Sequence, residues 1–216
     1  MYFRDRHHAG QLLAAALRDY AGQDGVIYAL PRGGVPLAVE IGAVLGMPVE
    51  LLIARKIGHP NNPEYAICAV SEGGELVCNE YERASVSPAW LAKRVAAERA
   101  EAARRREVYR GGANTPATGR LAIVVDDGIA TGLTMFAAIR DLKGQHPKML
   151  VVAIPVTPTD AAARLRREAD VLVALDIPES YAGAVGSYYD DFSQLTDRDV
   201  MKDLRLARSE GGKQQA

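Results

Sequence analysis

Short apolar runs alternate with amphipathic stretches along most of this chain. Runs rich in β-branched residues predict strands over Val26–Leu30, Val49–Ala54, Leu121–Val125, Met149–Val156 and Val171–Leu175. Apolar positions three and four residues apart predict helices over Arg6–Tyr20, Val35–Leu45, Leu133–Leu142 and Thr159–Glu168. Strands that alternate with helices pair in parallel through right-handed crossovers. The sequence therefore predicts an α/β fold with an open, mostly parallel, doubly wound sheet.

The middle of the chain departs from this alternation. The stretch "RKIGHPNNPEY", residues 55–65, is dense in Gly, Pro and Asn and predicts a long flexible loop. After it, "AICAV" and "ELVC" are separated by "SEGG", which predicts a hairpin. A charged helix is predicted over Trp90–Tyr109, with pairs of opposite charge four residues apart on a solvated surface. The run Arg104–Arg106 would suit RNA, but the glutamates interleaved with it argue against that partner.

Composition narrows the function classes. The chain has 216 residues, of which 48% are apolar, and a formal net charge of -1, as expected for one globular domain with no general affinity for nucleic acid or an anionic membrane. No apolar run approaches a membrane span, and the N-terminal residues lack the apolar core of a signal peptide. Cys68 and Cys78 lack zinc-like spacing; a disulfide is possible, but two thiols in a reducing cytoplasm are the expectation.

Two adjacent acids mark the candidate site, in the stretch "IVVDDGIATGLTM". Asp126 and Asp127 follow a strand, and ligands of parallel sheets bind beyond the carboxyl ends of the strands. The loop after them offers glycines, threonine hydroxyls and the free amides of a helix N-terminus, which suit a phosphate. Carboxylates only accept hydrogen bonds, so they suit the diol of a ribose. An ordinary turn with an acidic N-cap is the alternative, but a cap needs one acid.

The stretch "VVDDGIATGLT" resembles the phosphoribosyl pyrophosphate (PRPP) signature of type I phosphoribosyltransferases: an apolar strand, two acids, a short variable stretch and T-G-x-T. The resemblance implies that Asp126 and Asp127 hold the ribose and contribute to catalysis. It also implies which residues bind the ribose and the 5-phosphate: Asp126, Asp127, Gly128, Ile129, Ala130, Thr131, Gly132, Leu133 and Thr134.

Two further segments extend the resemblance. "LPRGG" is similar to the family's pyrophosphate loop, which often carries a non-proline cis peptide; by position this is the Pro31–Arg32 bond. The implied pyrophosphate-binding residues are Pro31, Arg32, Gly33, Gly34, Arg55 and Lys56. Many members close a mobile loop over the substrate near residues 55–65, which would give Lys56 a catalytic role toward the departing pyrophosphate.

The resemblance also divides the chain. We expect a single domain over residues 1–208, with a core at about 21–78 and 120–176, a helical insert at about 79–119, and a small hood built from 1–20 and 177–208. Residues 209–216 are expected to form a disordered tail. In this family the hood recognises the acceptor. Tyr188, Tyr189 and Phe192 are the candidates here, either stacking on a flat acceptor or packing the hood against the core.

The sequence thus predicts a cytoplasmic phosphoribosyltransferase, a pentosyl-transferring enzyme of nucleotide metabolism. It would use PRPP and Mg²⁺ to transfer a 5-phosphoribosyl group to a nitrogenous acceptor, releasing pyrophosphate. Mg²⁺ would be held mainly by PRPP and water, with Asp126 or Asp127 as the protein contact. The expected partners are small molecules, without nucleic acid or membrane, and the resemblance allows a homodimer. The alternative is a PRPP-binding regulatory protein without turnover.

Overall fold

A computed structural model describes residues 1–109 and 115–211 of the chain. The helices are α1 (Arg6–Ala16), α2 (Gly34–Leu45), α3 (Glu80–Ala84), α4 (Pro88–Tyr109), α5 (Leu133–Lys143), α6 (Thr159–Glu168) and α7 (Asp197–Gly211). The strands are β1 (Gly25–Ala29), β2 (Val49–Leu51), β3 (Ala54–His59), β4 (Asn62–Ser71), β5 (Leu76–Cys78), β6 (Leu121–Val125), β7 (Met149–Val156) and β8 (Val171–Asp176).

The main sheet is parallel and has the order β2-β1-β6-β7-β8. Its central strands are buried along their whole length, which explains why they form continuous apolar runs rather than alternating ones. One face, with Ile27 and Ile123, packs against α1 and α2. The other face, with Tyr28 and Val124, packs against α5 and α6. The predicted doubly wound α/β sheet is confirmed.

The prediction of a flexible loop over residues 55–65 is wrong. Strands β3, β4 and β5 form a second, antiparallel sheet, and β3 and β4 are joined by a tight turn. Arg55 and Lys56 therefore lie in a paired strand instead of at the start of a loop. The hairpin is irregular, with register shifts on either side of Gly58, and a side chain at Gly58 would overlap the backbone of Pro63. The glycines and prolines that favoured a loop are the residues of this bulged hairpin.

The two cysteines form a disulfide, contrary to the expectation of free thiols. Cys68 on β4 and Cys78 on β5 are cross-strand partners in the antiparallel ladder, and their Cα atoms are 4.0 Å apart. The hairpin predicted from "AICAV" and "ELVC" thus exists and places the sulfur atoms opposite each other. A separation of ten residues is compatible with a disulfide, whereas a reducing cytoplasm favours free thiols.

Helix α4 forms most of the insert and packs on the antiparallel sheet. Its apolar contacts run through Leu91, which joins Ile57 and Val70 in a separate small core. Charge pairs four residues apart do occur on α4, as predicted, between Arg94 and Glu98 and between Glu101 and Arg105. The last part of the predicted insert, residues 110–114, lies outside the described residues.

Glu98 fastens α4 to β3. Its side chain is 8% exposed, and one carboxylate oxygen accepts hydrogen bonds from Arg55 while the other accepts one from Arg94. Arg106 forms a second ion pair between α4 and the sheet, a bidentate one with Glu72, which follows the end of β4. The insert is therefore held against the antiparallel sheet by ion pairs as well as by apolar packing.

Glu98→Gln is expected to lower the free energy of unfolding by about 2–3 kcal/mol. The amide cannot compensate two arginines, and breaking a buried ion pair leaves an uncompensated charge. The matched control is Glu101→Gln on the same helix, which also has two arginine partners but lies nearer to solvent and should cost less than about 1 kcal/mol. Urea unfolding of both variants measures the difference; equal losses would contradict the role of Glu98.

The N-terminal residues and residues 177–197 lie together, as the hood prediction requires. Phe3 forms a bridge with Tyr189, and Asp190 and Asp191 donate backbone hydrogen bonds to Phe3 and Arg4. Helix α1, by contrast, packs on α2 as a layer of the core. Helix α7 continues to Gly211, so the predicted disordered tail from residue 209 is wrong for its first three residues; residues 212–216 lie outside the described residues. In the described ranges, no helix is sufficiently long and apolar to cross a membrane.

Candidate functional site

The site forms where the strand order of the main sheet reverses. Chain connections leave β1 toward β2 on one side and pass from β6 toward β7 on the other, and β1 and β6 are neighbours. Parallel sheets bind ligands at such a switch point, beyond the carboxyl ends of the strands. The loops "LPRGG" and "DDGIATG" both begin there. Between them and β3 lies a cleft of about 450 Å³.

The loop after β1 lies against the acid pair so closely that its glycines cannot be replaced freely. The Pro31–Arg32 peptide is cis, which confirms the prediction made for that bond. A Cβ atom at Gly33 would overlap the Asp127 carboxylate, and one at Gly34 would overlap the carbonyl oxygen of Val125. These contacts bring the two loops together at the floor of the cleft.

The two acids lie at the base of the cleft in different environments. Asp127 pairs with Arg6 (Oδ2–Nε 2.8 Å), and its backbone carbonyl accepts a hydrogen bond from the Tyr189 hydroxyl at 2.6 Å. Asp126 accepts the Asp127 amide through Oδ1 at 2.9 Å. Burial and the adjacent Asp127 charge raise the pKa of Asp126 well above its ordinary value. Burial also raises the pKa of Asp127, while Arg6 opposes that rise.

The loop after the acids lines the cleft and leads into the N-terminus of α5. Gly128 and Gly132 have φ values of 151° and 77°, which non-glycine residues rarely adopt, and α5 begins immediately afterward. The first amides of a helix have no partner within it. The cleft is lined by the loop residues Gly128, Ile129, Ala130, Thr131, Gly132 and Thr134. This loop at a helix N-terminus, called the amide nest below, is of a kind that suits an anion.

Positive side chains also line the cleft. Lys56 and Arg55 extend from β3 and Arg105 from α4; these three residues are called the cationic wall below. Arg55 is paired with Glu98, whereas Lys56 makes no ion pair within residues 1–109 and 115–211 and lowers the pKa of both acids through its charge. Arg32, predicted to bind pyrophosphate, instead donates to the carbonyl oxygen of Leu195 at 2.6 Å and pairs with Asp197.

Of the three hood aromatics, Phe192 lines the cleft. Tyr188 and Tyr189 are 6% and 7% exposed and pack against other rings, Tyr188 on Tyr181 and Tyr189 on Phe192. The Arg6 guanidinium lies 3.9 Å from the centre of the Phe192 ring. Tyr188 and Tyr189 therefore pack the hood, and Phe192 with Arg6 forms its surface toward the cleft.

Comparison with known proteins identifies the family. The model of the phosphoribosyl transferase domain matches residues 6–192. The chain belongs to the phosphoribosyl transferase domain family. Two Mycobacterium tuberculosis proteins, from strains CDC 1551 and H37Rv, provisionally named phosphoribosyl transferases, are each 38% identical over 208 residues. That alignment covers 95% of this chain and 47% of each relative, so the chain spans about half the length of these curated proteins.

Solved structures agree with this assignment. The crystal structure of TT1426 from Thermus thermophilus has a TM-score of 0.78 and 42% identity, over 94% of this chain and 98% of that one. The AQ2163 protein from Aquifex aeolicus, with a TM-score of 0.50 and 10% identity over 80% of this chain and 72% of that one, shares the fold alone. The phosphoribosyl transferase domain match begins at Arg6 and ends at Phe192, which are the two residues stacked at the hood.

Sequence reasoning missed two arginines of this phosphoribosyl transferase site. Arg6 lies 121 residues from Asp127 and gave no local signal beyond its place in the N-terminal segment. Arg105 belongs to a charged helix whose arginines look alike in sequence. Periodicity could have found it, because Glu98, Glu101 and Arg105 are spaced to share one face of α4. Glu98 and Glu101 bind arginines on that face.

Proposed function

We propose that this domain is a phosphoribosyltransferase that transfers the 5-phosphoribosyl group of PRPP to a nitrogenous acceptor and releases pyrophosphate. The observation that carries the proposal is that the acid pair and the amide nest follow each other on one loop and line the same cleft as the cationic wall. PRPP combines a diol, a 5-phosphate and a pyrophosphate in one molecule. Each has a chemically matching surface here.

Charge indicates which surface of the cleft would bind each group of PRPP. The carboxylates of Asp126 and Asp127 would accept hydrogen bonds from the ribose hydroxyls, because an ionised carboxylate cannot bind phosphate without repulsion. The amides of Ala130 to Thr134 would hold the 5-phosphate. The cationic wall and the Pro31–Gly34 loop would then face the pyrophosphate. Phe192 provides the flat apolar surface at the hood on which an acceptor ring could stack.

Mg²⁺ fits this site as a partner of the substrate. The described residues contain no cluster of three or more side chains able to cage a metal ion. Asp127 is engaged by Arg6, which leaves Asp126 as the oxygen donor best placed to contact a hydrated ion. Mg²⁺ commonly binds through one or two carboxylates together with substrate phosphates and water. When bound, it would neutralise charge on the pyrophosphate.

Catalysis would rest on positioning and electrostatics. Cleavage of the C1–pyrophosphate bond leaves positive charge on the ribose and adds negative charge to the leaving group. The acids at the cleft floor would stabilise the first, and the cationic wall the second. The hood and the start of β3 line the cleft, and this lining would limit attack by water on the reactive sugar. That the reaction takes place in the cytoplasm stays a prediction. The Cys68–Cys78 disulfide speaks against it, because reducing compartments rarely preserve such a bond.

The test is release of pyrophosphate from PRPP and Mg²⁺ in the presence of a panel of purine, pyrimidine and other nitrogen heterocycles. Turnover with one class of acceptor supports the proposal and identifies the substrate. Tight PRPP binding without turnover on any acceptor would favour a PRPP-binding regulatory protein. Absence of PRPP binding by calorimetry would contradict both.

Lys56→Ala is expected to lower kcat far more than it weakens PRPP binding. The negative charge on pyrophosphate grows only as the bond breaks, so the interaction with Lys56 belongs mainly to the transition state. Steady-state kinetics beside direct titration of PRPP measures the two effects separately. Lys148→Ala is the control, since Lys148 is exposed and directly precedes β7, at the amino ends of the parallel strands and away from the cleft at their carboxyl ends. Equal losses of affinity and turnover would assign Lys56 to substrate binding alone.

A further inference from the structure

Helix α4 contributes a cation to the cleft although it is outside the strand-and-helix core. Arg105 lines the cleft beside Lys56 and Arg55, and its side chain is 16% exposed. Arg104, its neighbour in sequence, is 55% exposed and is not among the cleft residues. The two arginines bind the same carboxylate, Glu101. They differ in exposure and in whether the side chain lines the cleft.

Arg105 is held by one edge of its guanidinium. Its Nε donates to Glu101 Oε1 at 3.0 Å, and within residues 1–109 and 115–211 no acceptor bonds its two terminal nitrogens. Arg55 differs, because it uses both Nε and a terminal nitrogen on Glu98. A guanidinium with a free terminal fork can bind two oxygens of one phosphoryl group at once.

The charges around the cleft leave Arg105 available for a substrate. Arg6 is paired with Asp127, and Arg55 donates through Nε and a terminal nitrogen to the buried Glu98, which Arg94 also contacts. Glu101 serves two arginines, so that group keeps one positive charge, and Arg105 is its cleft-facing member. Arg32, the cation expected from the loop after β1, is occupied by Leu195 and Asp197. The cationic wall therefore offers a ligand two side chains with donors that no acid in the described residues binds: Lys56 and, through its terminal nitrogens, Arg105.

We propose that Arg105, delivered by the α4 insert, binds the pyrophosphate group of PRPP, and that the pairs Glu101–Arg105 and Glu98–Arg55 position it. This inference rests on the proposed function and assigns the insert to the substrate site. The 5-phosphate is not its ligand, because the amide nest that suits that group lies on the loop at the start of α5. The β3–β4 hairpin is the platform on which α4 is fastened, through Arg55 and Glu98.

The experiment compares Arg105→Gln with Arg104→Gln. Each variant removes one positive charge and one partner of Glu101, but only the first changes the cleft. Calorimetry measures binding of Mg²⁺-pyrophosphate, of PRPP and of ribose 5-phosphate, which lacks the pyrophosphate. Arg105→Gln is expected to weaken the first two by roughly 10- to 100-fold, as for loss of a charge-assisted hydrogen bond, and to leave ribose 5-phosphate unchanged. Arg104→Gln is expected to match the wild type with all three.

The remaining outcomes decide against the inference in different ways. If Arg105→Gln binds pyrophosphate as the wild type does, Arg105 is not its ligand. If ribose 5-phosphate is weakened equally, the effect is a general one on the cleft and the assignment is overturned. Retained ribose 5-phosphate binding shows that the variant is folded. If the wild type binds none of the three, the proposed function itself fails, and the inference fails with it.

Discussion

Asp126→Asn combined with Asp127→Asn is expected to abolish turnover and to reduce PRPP affinity by a factor of at least about 100. Each charge-assisted hydrogen bond to the ribose contributes about 1.5–3 kcal/mol, and the double variant loses both acids. Calorimetry with PRPP and an assay of pyrophosphate release measure the two losses. Asp160→Asn, an exposed acid at the start of α6, is the control for loss of charge alone. Unchanged PRPP affinity in the double variant would refute the ribose assignment.

The single variant Asp126→Asn should make the protein more stable at neutral pH. Since burial raises the folded-state pKa of Asp126, its charge is disfavoured in the folded protein. The contribution of Asp126 to stability is therefore greatest below its unfolded pKa of about 3.9 and is lost as the pH rises through its folded pKa. The uncharged amide escapes this loss and can still accept the Asp127 amide through its oxygen. Thermal unfolding across pH tests this: a lower midpoint for the variant at pH 7 would contradict it.

Gly33→Ala is expected to remove most activity while leaving the fold intact. The new methyl group would overlap the Asp127 carboxylate, which must then rotate away and give up its pair with Arg6. The backbone at Gly33 has φ -59°, so alanine is not strained there and the effect is one of contact. Loss of a positioned acid in the cleft is expected to lower kcat/KM by roughly 100-fold or more.

Gly144→Ala is the matched control for this effect. Gly144 has φ -60° in the same backbone region, at the end of α5 away from the cleft. Both alanine variants should unfold at nearly the wild-type temperature, and the Gly144 variant should keep its activity. A Gly33→Ala variant with wild-type kcat/KM would show that the contact between this glycine and Asp127 does not matter for function.

The main sheet could be predicted from the sequence because its central strands are buried on both faces and form plain apolar runs. The acid pair and the amide nest could also be located, because a contiguous motif places them directly after β6. The β3–β4 hairpin could not. Gly58, Pro60 and Pro63 favour a loop locally, and the strand forms through cross-strand pairing with a bulge, which no local composition encodes.

The cations of the cleft were the hardest part to predict. Arg32 follows a strand at the correct sheet edge, yet its guanidinium turns to Asp197 at the start of α7. Arg6 and Arg105 lie in helices and reach the cleft only because tertiary packing orients those helices. Arginine has a long side chain with many rotamers, so its direction depends on the acids around it in three dimensions and not on its position in the motif.

The stacking of Arg6 on Phe192 also has a consequence for the order in which the protein is made. Arg6 leaves the ribosome before the strands of both sheets, and its aromatic partner is synthesised 186 residues later, after all of them. A nascent chain can pair β1 with β6 and form the floor of the cleft before the hood residues exist. During that interval, Asp127 and Arg6 can already pair, but the aromatic side of the cleft is missing. Completion of the binding site therefore follows the synthesis of both sheets.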